Sequence, residues 1–422
     1  MSSPLNSPTI HQLPNGLTII AEQMPIPAVN LNIWLNVGSF RETDAINGMA
    51  HFLEHMVFKG TSRLAPGEFE RLAEERGASI NAATSQDYTH YYITTAPKDF
   101  AALAPLQIDI VANPEIPDAE FDREKLVVLE EIRRSNDSPQ RRIYQHAIEV
   151  AFNKLPYRRP VLGPEAVIEG ITAQQMRYFH ATHYQPTAMT AVAVGNLPVD
   201  ELINIVADGF LSQGGSTPSI ELMGRSSRPA QEPAFSQVVR REYTDPQLQQ
   251  ARLIMIWRVP GLVNLSETYP LDILAAILAS GRTSRLVKEL KEERQLVNSI
   301  SVSNMSNSVQ GLFYLSAQLP QENLAEVEQI ILEHISALQN TLVTDGEIAR
   351  IRRQVANRYI FGSETPSDRA DLYGYYRSVV GDLAPALDYP QRIQAVDAAT
   401  LQVAARKYLS ATAYGVVTVS PR

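Results

Sequence analysis

Apolar and polar positions along the chain follow two different periods. Short runs rich in β-branched and aromatic residues, LTIIAEQ and NLNIWLNVG within 17–38 and ARLIMIWRVPG at 251–261, predict strands. Each is followed by an alanine- and leucine-rich stretch at helical spacing: MAHFLEHMVF in the first half, PLDILAAILAS in the second. Each half then closes on a helix and a strand, in ITAQQMRYFHATHYQPTAMTAVAVGNL and in DAATLQVAARKYLSATAYGVVTVSP. Between the halves, SQGGSTPS and GRSSRPAQEPAFSQ crowd glycine, serine and proline and lose all periodicity. The pattern predicts an α+β protein of two similar domains with mixed sheets flanked by helices, the order matched well enough to suggest duplication. We place the domains at 1–222 and 238–422, with a linker at 223–237.

Composition narrows the class. The 422 residues carry a net charge of −9, which argues against a general nucleic-acid partner. No apolar run approaches a membrane span and the N-terminus lacks a secretory pattern, so the expectation is a cytoplasmic protein that does not contact a membrane. The chain has no cysteine, so a zinc site would draw on His, Asp or Glu.

Residues 46–58, INGMAHFLEHMVF, are apolar on nearly all sides and predict a buried helix. His51 and His55 are four apart and share a face; Glu54 flanks it. Two neutral imidazoles at that spacing can hold one zinc ion, and a neighbouring carboxylate can take a proton from water. The alternative is a pair of core histidines bonded to backbone carbonyls. A third ligand is needed from elsewhere. The segment IPDAEFDREKLVVLEEIRRS (116–135) predicts a helix starting near Asp118, on which Glu124, Val127, Val128 and Glu131 share a face. Glu130 and Glu131 also read as ordinary surface acids. His180 and His183 in HATH read as structural histidines, His90 as a residue on a strand face, and LYGYY (372–376) as core or interface.

HFLEH followed by this acidic helix resembles the inverted zinc-metallopeptidase signature HxxEH. More closely it resembles the pitrilysin-type (M16) family, in the short processing-protease-like form. FKGTSR, GASINAATSQDYTHYY (77–92), LGPE (162–165) and GRTSRLVKELKEERQLVNSI (281–300) extend the likeness over most of the chain. In that family a glutamate lies about 76 residues beyond the second histidine. Glu131 stands 76 residues after His55, so the resemblance selects it over Glu130. It implies zinc held by His51, His55 and Glu131, Glu54 as general base, and Glu124 supporting the site. It also implies a peptide-binding edge strand from Ser79 to Thr84, with Asn81 and Ala82 as its NA pair. The implied fold is two homologous α/β-roll domains forming half of a clamshell, and the implied activity is zinc-dependent endopeptidase action on unfolded or small peptides in a closed chamber.

The likeness fails at one place. Active members carry an arginine and a tyrosine seven apart in the second domain; here those positions are Lys291 and Asn298. Lysine lacks the bidentate fork and asparagine lacks the phenol. The expectation is therefore a zinc-binding subunit in a heterodimer, its homologous partner supplying the Arg/Tyr pair. A homodimer tolerating Lys291 and Asn298, and a non-catalytic structural or peptide-binding member, are the alternatives.

Overall fold

The computed structural model describes residues 7–212 and 229–421. They form two compact units, each built on one mixed sheet. The first sheet contains β1 (Thr9–Gln12), β2 (Thr18–Gln23), β3 (Val29–Leu35), β4 (Ser79–Thr84), β5 (Thr89–Thr95) and β6 (Met189–Gly195), in the order β1-β2-β6-β3-β5-β4. The second contains β7 (Val239–Thr244), β8 (Ala251–Pro260), β9 (Ser299–Met305), β10 (Gln310–Leu319) and β11 (Gly415–Ser420), in the order β7-β11-β8-β10-β9. In each sheet a single parallel pair, β2 with β6 or β7 with β11, is followed by antiparallel pairs only, down to the far edge. Setting β1 aside, the sheets match strand for strand in order and direction. Duplication accounts for this more simply than chance.

The strands lie where the β-branched runs predict them, with β3 and β6 buried throughout. Helix Met49–Val57 and its second-half counterpart Leu265–Ala279 each pack into their own unit's core. One correction concerns span length. The segment 262–279 is long and apolar enough to cross a membrane by length and composition. Leu271, Ile273, Leu274, Ile277 and Leu278 within it are fully buried in the second core, which identifies it as a core helix.

The units do not follow a linear division of the chain. Among the described residues, 7–133, 159–212 and 359–388 form the first and 134–158, 229–358 and 389–421 the second. Helix Pro139–Ala151 buries Ile143, Ala147, Ile148, Val150 and Ala151 and packs on β8 and β11, while helix Pro366–Tyr375 packs on β3 and β6. Each half of the sequence lends one helix to the other's sheet. Gly374 permits the second of these contacts: a Cβ there would fall 2.1 Å from Trp34 Nε1. Of the expected linker, 223–228 lies outside the described residues. Residues 229–237 carry no regular element, yet Glu232 is buried, accepting the N–H groups of Asn153, Lys154 and Leu155 and pairing with Arg258 at 3.1 Å.

Candidate metal and catalytic centre

The site is built on helix Met49–Val57. Its chain enters through Gly48 at φ 98°, where a side chain would collide with Leu162 O at 2.6 Å. The buried Glu42 carboxylate caps the helix, accepting the N–H groups of Gly48 and Ala50 and Asn47 Nδ2, each at 2.8 Å. An anion against a helix N-terminus is favourable and fixes the pitch of the turn that carries His51. Burial pushes the Glu42 carboxyl up from its ordinary value, against the bonds from Ala50, Asn47 and Gly48. Sequence reasoning passed over Glu42; an acid a few residues ahead of a buried helix with no Ser, Thr or Asp cap was the available signal.

Met49, Ala50, Phe52, Leu53, Met56 and Val57 are fully buried, and His51 is buried with them. Glu54 and His55 are half-buried. Helix Asp118–Asp137 lies across this helix, with the Phe121 ring stacked on Phe52 at 4.7 Å and Val128, Leu129 and Ile132 buried. Val127 does not share the inward face: it is 51% exposed, while Glu124 and Glu131 turn toward the histidines. Glu131 Oε2 lies 3.5 Å from both His51 Nε2 and His55 Nε2, and one ligand atom from each of the three residues falls within 4.8 Å of the others.

Around this triad lies a supporting layer. His55 Nδ1 is 2.9 Å from Glu124 Oε1, and Glu124 Oε2 is 2.7 Å from Lys59 Nζ. Burial works against the Glu124 anion, but the bonds from His55 and Lys59 hold its carboxyl below the usual range. An ionised carboxylate only accepts, so His55 Nδ1 carries the hydrogen and Nε2 is left for a cation. Burial pulls the His55 pKa down, yet Glu124 and Glu131 outweigh it and lift it to about 9, so near neutral pH the metal-free ring carries a second proton on Nε2 that an incoming cation must displace. Two imidazole nitrogens and a carboxylate oxygen, oriented by an outer carboxylate, make a donor set suited to a zinc ion. Lys59 was not foreseen from the sequence.

Glu54 points its carboxylate to the other side. Thr84 Oγ1 donates to Glu54 Oε2 at 2.5 Å, tying the acid to β4. Burial pushes the Glu54 carboxyl up from its ordinary value, against the bond from Thr84. β4 is the outer strand of the first sheet. Ser79 and Asn81 are exposed on it and Ala82 is half-buried. The Ala82 N–H is taken by Asn81 Oδ1 at 2.9 Å, so it faces the open edge rather than β5. The remaining candidates are elsewhere. His180 is buried, with Nε2 3.0 Å from Val111 O, and burial lowers its pKa to about 4. His183 lies against Phe179. His90 lies on β5, and Tyr373 is buried against the first sheet. Lys291 and Asn298 are exposed in the second unit.

Comparison with known proteins agrees with this arrangement. Residues 17–165 match the family profile described as insulinase (peptidase family M16), and residues 170–355 match that described as the peptidase M16 inactive domain. The chain is 28% identical over 407 residues to an uncharacterized zinc protease of Streptomyces coelicolor, covering 94% of this chain and 86% of that one. It is 27% identical over 408 residues to a probable mitochondrial-processing peptidase subunit beta of Arabidopsis thaliana, covering 94% and 75%. Its fold is similar to that of a protease from Helicobacter pylori, with a TM-score of 0.88 at 24% identity over 98% and 99% of the two chains. The two profiles together span most of the sequence, and the chain belongs to peptidase family M16.

Proposed function

We propose that the protein is a zinc-dependent endopeptidase acting on unfolded or small peptides. The observation that carries this reading is the convergence of His51, His55 and Glu131 on one point, with Glu54 held beside them by Thr84. Zinc bound by the triad supplies a Lewis acid for the scissile carbonyl and lowers the pKa of water. Glu54 accepts the proton of the attacking water and returns it to the departing amine. Its Oε2 is occupied by Thr84, which leaves Oε1 to carry that proton. Ser79, Asn81, Ala82 and Thr84 line the edge on which a peptide would add as a further strand, paired by backbone groups that tolerate many sequences.

The test is cleavage of an unstructured peptide by the purified chain with zinc, then with a chelator, then with zinc restored. Cleavage that is lost and recovered supports the reading. An inert chain that still holds about one zinc ion points to the second part of the proposal. The family resemblance puts Lys291 and Asn298 at the positions where an arginine and a tyrosine are expected, so a homologous partner would supply that pair in a heterodimer. Activity of the chain alone would overturn the requirement for a partner.

The supporting layer yields its own expectation. Glu124→Gln keeps the shape but loses the anion that fixes the His55 tautomer and holds Lys59. Zinc affinity, measured by competition with a chelating dye, should fall by about 10–100-fold. Unchanged affinity would show that the contact to Glu124 does not orient His55.

A further inference from the structure

The two matching sheets differ at one edge. In the first, β2 is covered by β1; in the second, its counterpart β7 is outermost among the described residues. Side chains along β7 alternate between the faces of the sheet. Tyr243 turns to one face, where its ring stacks on His146 at 3.7 Å. Arg240, Glu242 and Thr244 turn to the other, toward helix Leu324–Asn340. Between that helix and the uncovered edge lies a cavity of about 620 Å³, within the second unit. Its walls include Thr418, which pairs with Glu242 across β11, together with Gln321 and Glu328 from the helical side. Sites for small molecules commonly measure about 300–1,000 Å³.

Two opposite charges set the chemistry of this cavity. Glu328 is 9% exposed, and its Oε1 accepts Arg240 Nη2 at 2.7 Å and Tyr414 Oη at 2.6 Å. Its Oε2 meets no donor among the described residues. Arg240 commits only Nη2 to that pair, and with 40% of its side chain exposed it keeps further N–H groups open. Thr418 is 8% exposed, yet its hydroxyl has no partner among the described residues, and neither has the Gln321 amide. A buried carboxylate with an unused oxygen thus stands against a guanidinium with unused N–H groups, and neutral polar side chains surround them. Buried polar groups are normally satisfied, so these call for a ligand that satisfies both signs at once.

We infer that this cavity binds a free α-amino acid with a neutral polar side chain. Such a ligand carries an ammonium and a carboxylate on one carbon, two opposite charges held as close together as those of Glu328 and Arg240. Its ammonium donates to Glu328 Oε2 and its carboxylate accepts from the open N–H groups of Arg240, both charge-assisted bonds. A simple anion would face the Glu328 and Glu242 carboxylates, and a simple cation would face Arg240; the zwitterion meets a partner at each end. Glu242, on the same face of β7, adds a second negative charge and disfavours an acidic side chain on the ligand. Thr244, Thr418 and Gln321 can each donate and accept, which suits an amide or hydroxyl side chain better than an aliphatic one. A residue inside a peptide lacks both charges and is not recognised. The inference rests on the second unit alone and stands whether or not the chain cleaves peptides.

The test is a ligand-observed NMR titration of the zinc-loaded full chain with L-glutamine, N-acetyl-L-glutamine, L-glutamine α-amide and L-leucine. L-glutamine should bind saturably and more tightly than L-leucine. Each capped form loses one charge and should bind about 10–100-fold more weakly. Arg240→Gln should weaken L-glutamine by a similar factor. Gln321→Ala removes an exposed side chain that bonds to nothing in the chain, so the fold is kept and binding should fall about fivefold. That variant carries the test if Arg240→Gln does not fold. Absence of saturable binding overturns the site, as does equal binding of the capped forms. Binding that is unchanged in both variants would place the amino acid on the zinc ion of the first unit and likewise overturns it.

Discussion

Replacing Glu54 with glutamine is expected to lower kcat for peptide hydrolysis by a factor of about 10²–10⁴, the usual contribution of a positioned general base. Glutamine preserves the volume and can still accept the Thr84 hydroxyl, so the contact to β4 survives. It cannot take a proton from water. Glu54 is not among the three residues whose ligand atoms converge, so zinc content should remain about one per chain. That combination separates loss of the base from loss of the metal. His51→Ala or Glu131→Ala should lose both activity and zinc. The position of the glutamate between two half-buried elements explains its suitability: burial pushes its carboxyl up, toward the range in which a base works near neutral pH. A Glu54→Gln protein retaining more than about a tenth of wild-type kcat would remove Glu54 from the mechanism.

How much of this was legible depended on the length scale of each feature. The spacing of His51, Glu54 and His55 lies within one helix, so a period of 3.6 is enough to place them together. Glu131 lies 76 residues on, and no local period reaches it. Amphipathic spacing could offer Glu124 and Glu131 as a pair, but the choice between Glu131 and Glu130 came from the family resemblance. Thr84 was expected as part of a peptide-binding strand; its bond to Glu54 required the fold, because the two residues meet only when β4 packs beside the motif helix. The exchange of helices between sheets was beyond the pattern altogether. Ile143, Ala147, Ile148 and Val150 announce a buried helix face, but a hydrophobic stripe does not specify which of two similar sheets will cover it. For the same reason Glu42 and Lys59 were passed over: each acts on a partner whose orientation only the tertiary structure defines.

The exchanged helix leads to the second large effect. Glu22 on β2 is 2% exposed, yet it follows the apolar run of its strand and looks in sequence like an ordinary polar strand residue. Its carboxylate accepts Arg369 Nη1 at 2.6 Å and Tyr373 Oη at 2.8 Å, residues 347 and 351 positions later on helix Pro366–Tyr375. Arg369 also donates to Ser363 O from Nε and Nη2, so its guanidinium is fully engaged in a buried setting. Removing one member of such a pair strands the other charge away from water, which typically costs about 3–5 kcal/mol. Glu22→Ala is therefore expected to destabilise the first unit by that amount. The double variant Glu22→Leu with Arg369→Met removes both charges and should recover most of the loss. Trp34 packs in the same cluster as Tyr373, and the chain has two tryptophans. In a Trp257→Phe background, urea unfolding followed by fluorescence reports the first unit alone, so each variant's midpoint is read against that parent. A loss below about 1 kcal/mol in Glu22→Ala would mean that the apolar contacts of Ala370 and Tyr373, rather than this ion pair, hold the exchanged helix on its sheet.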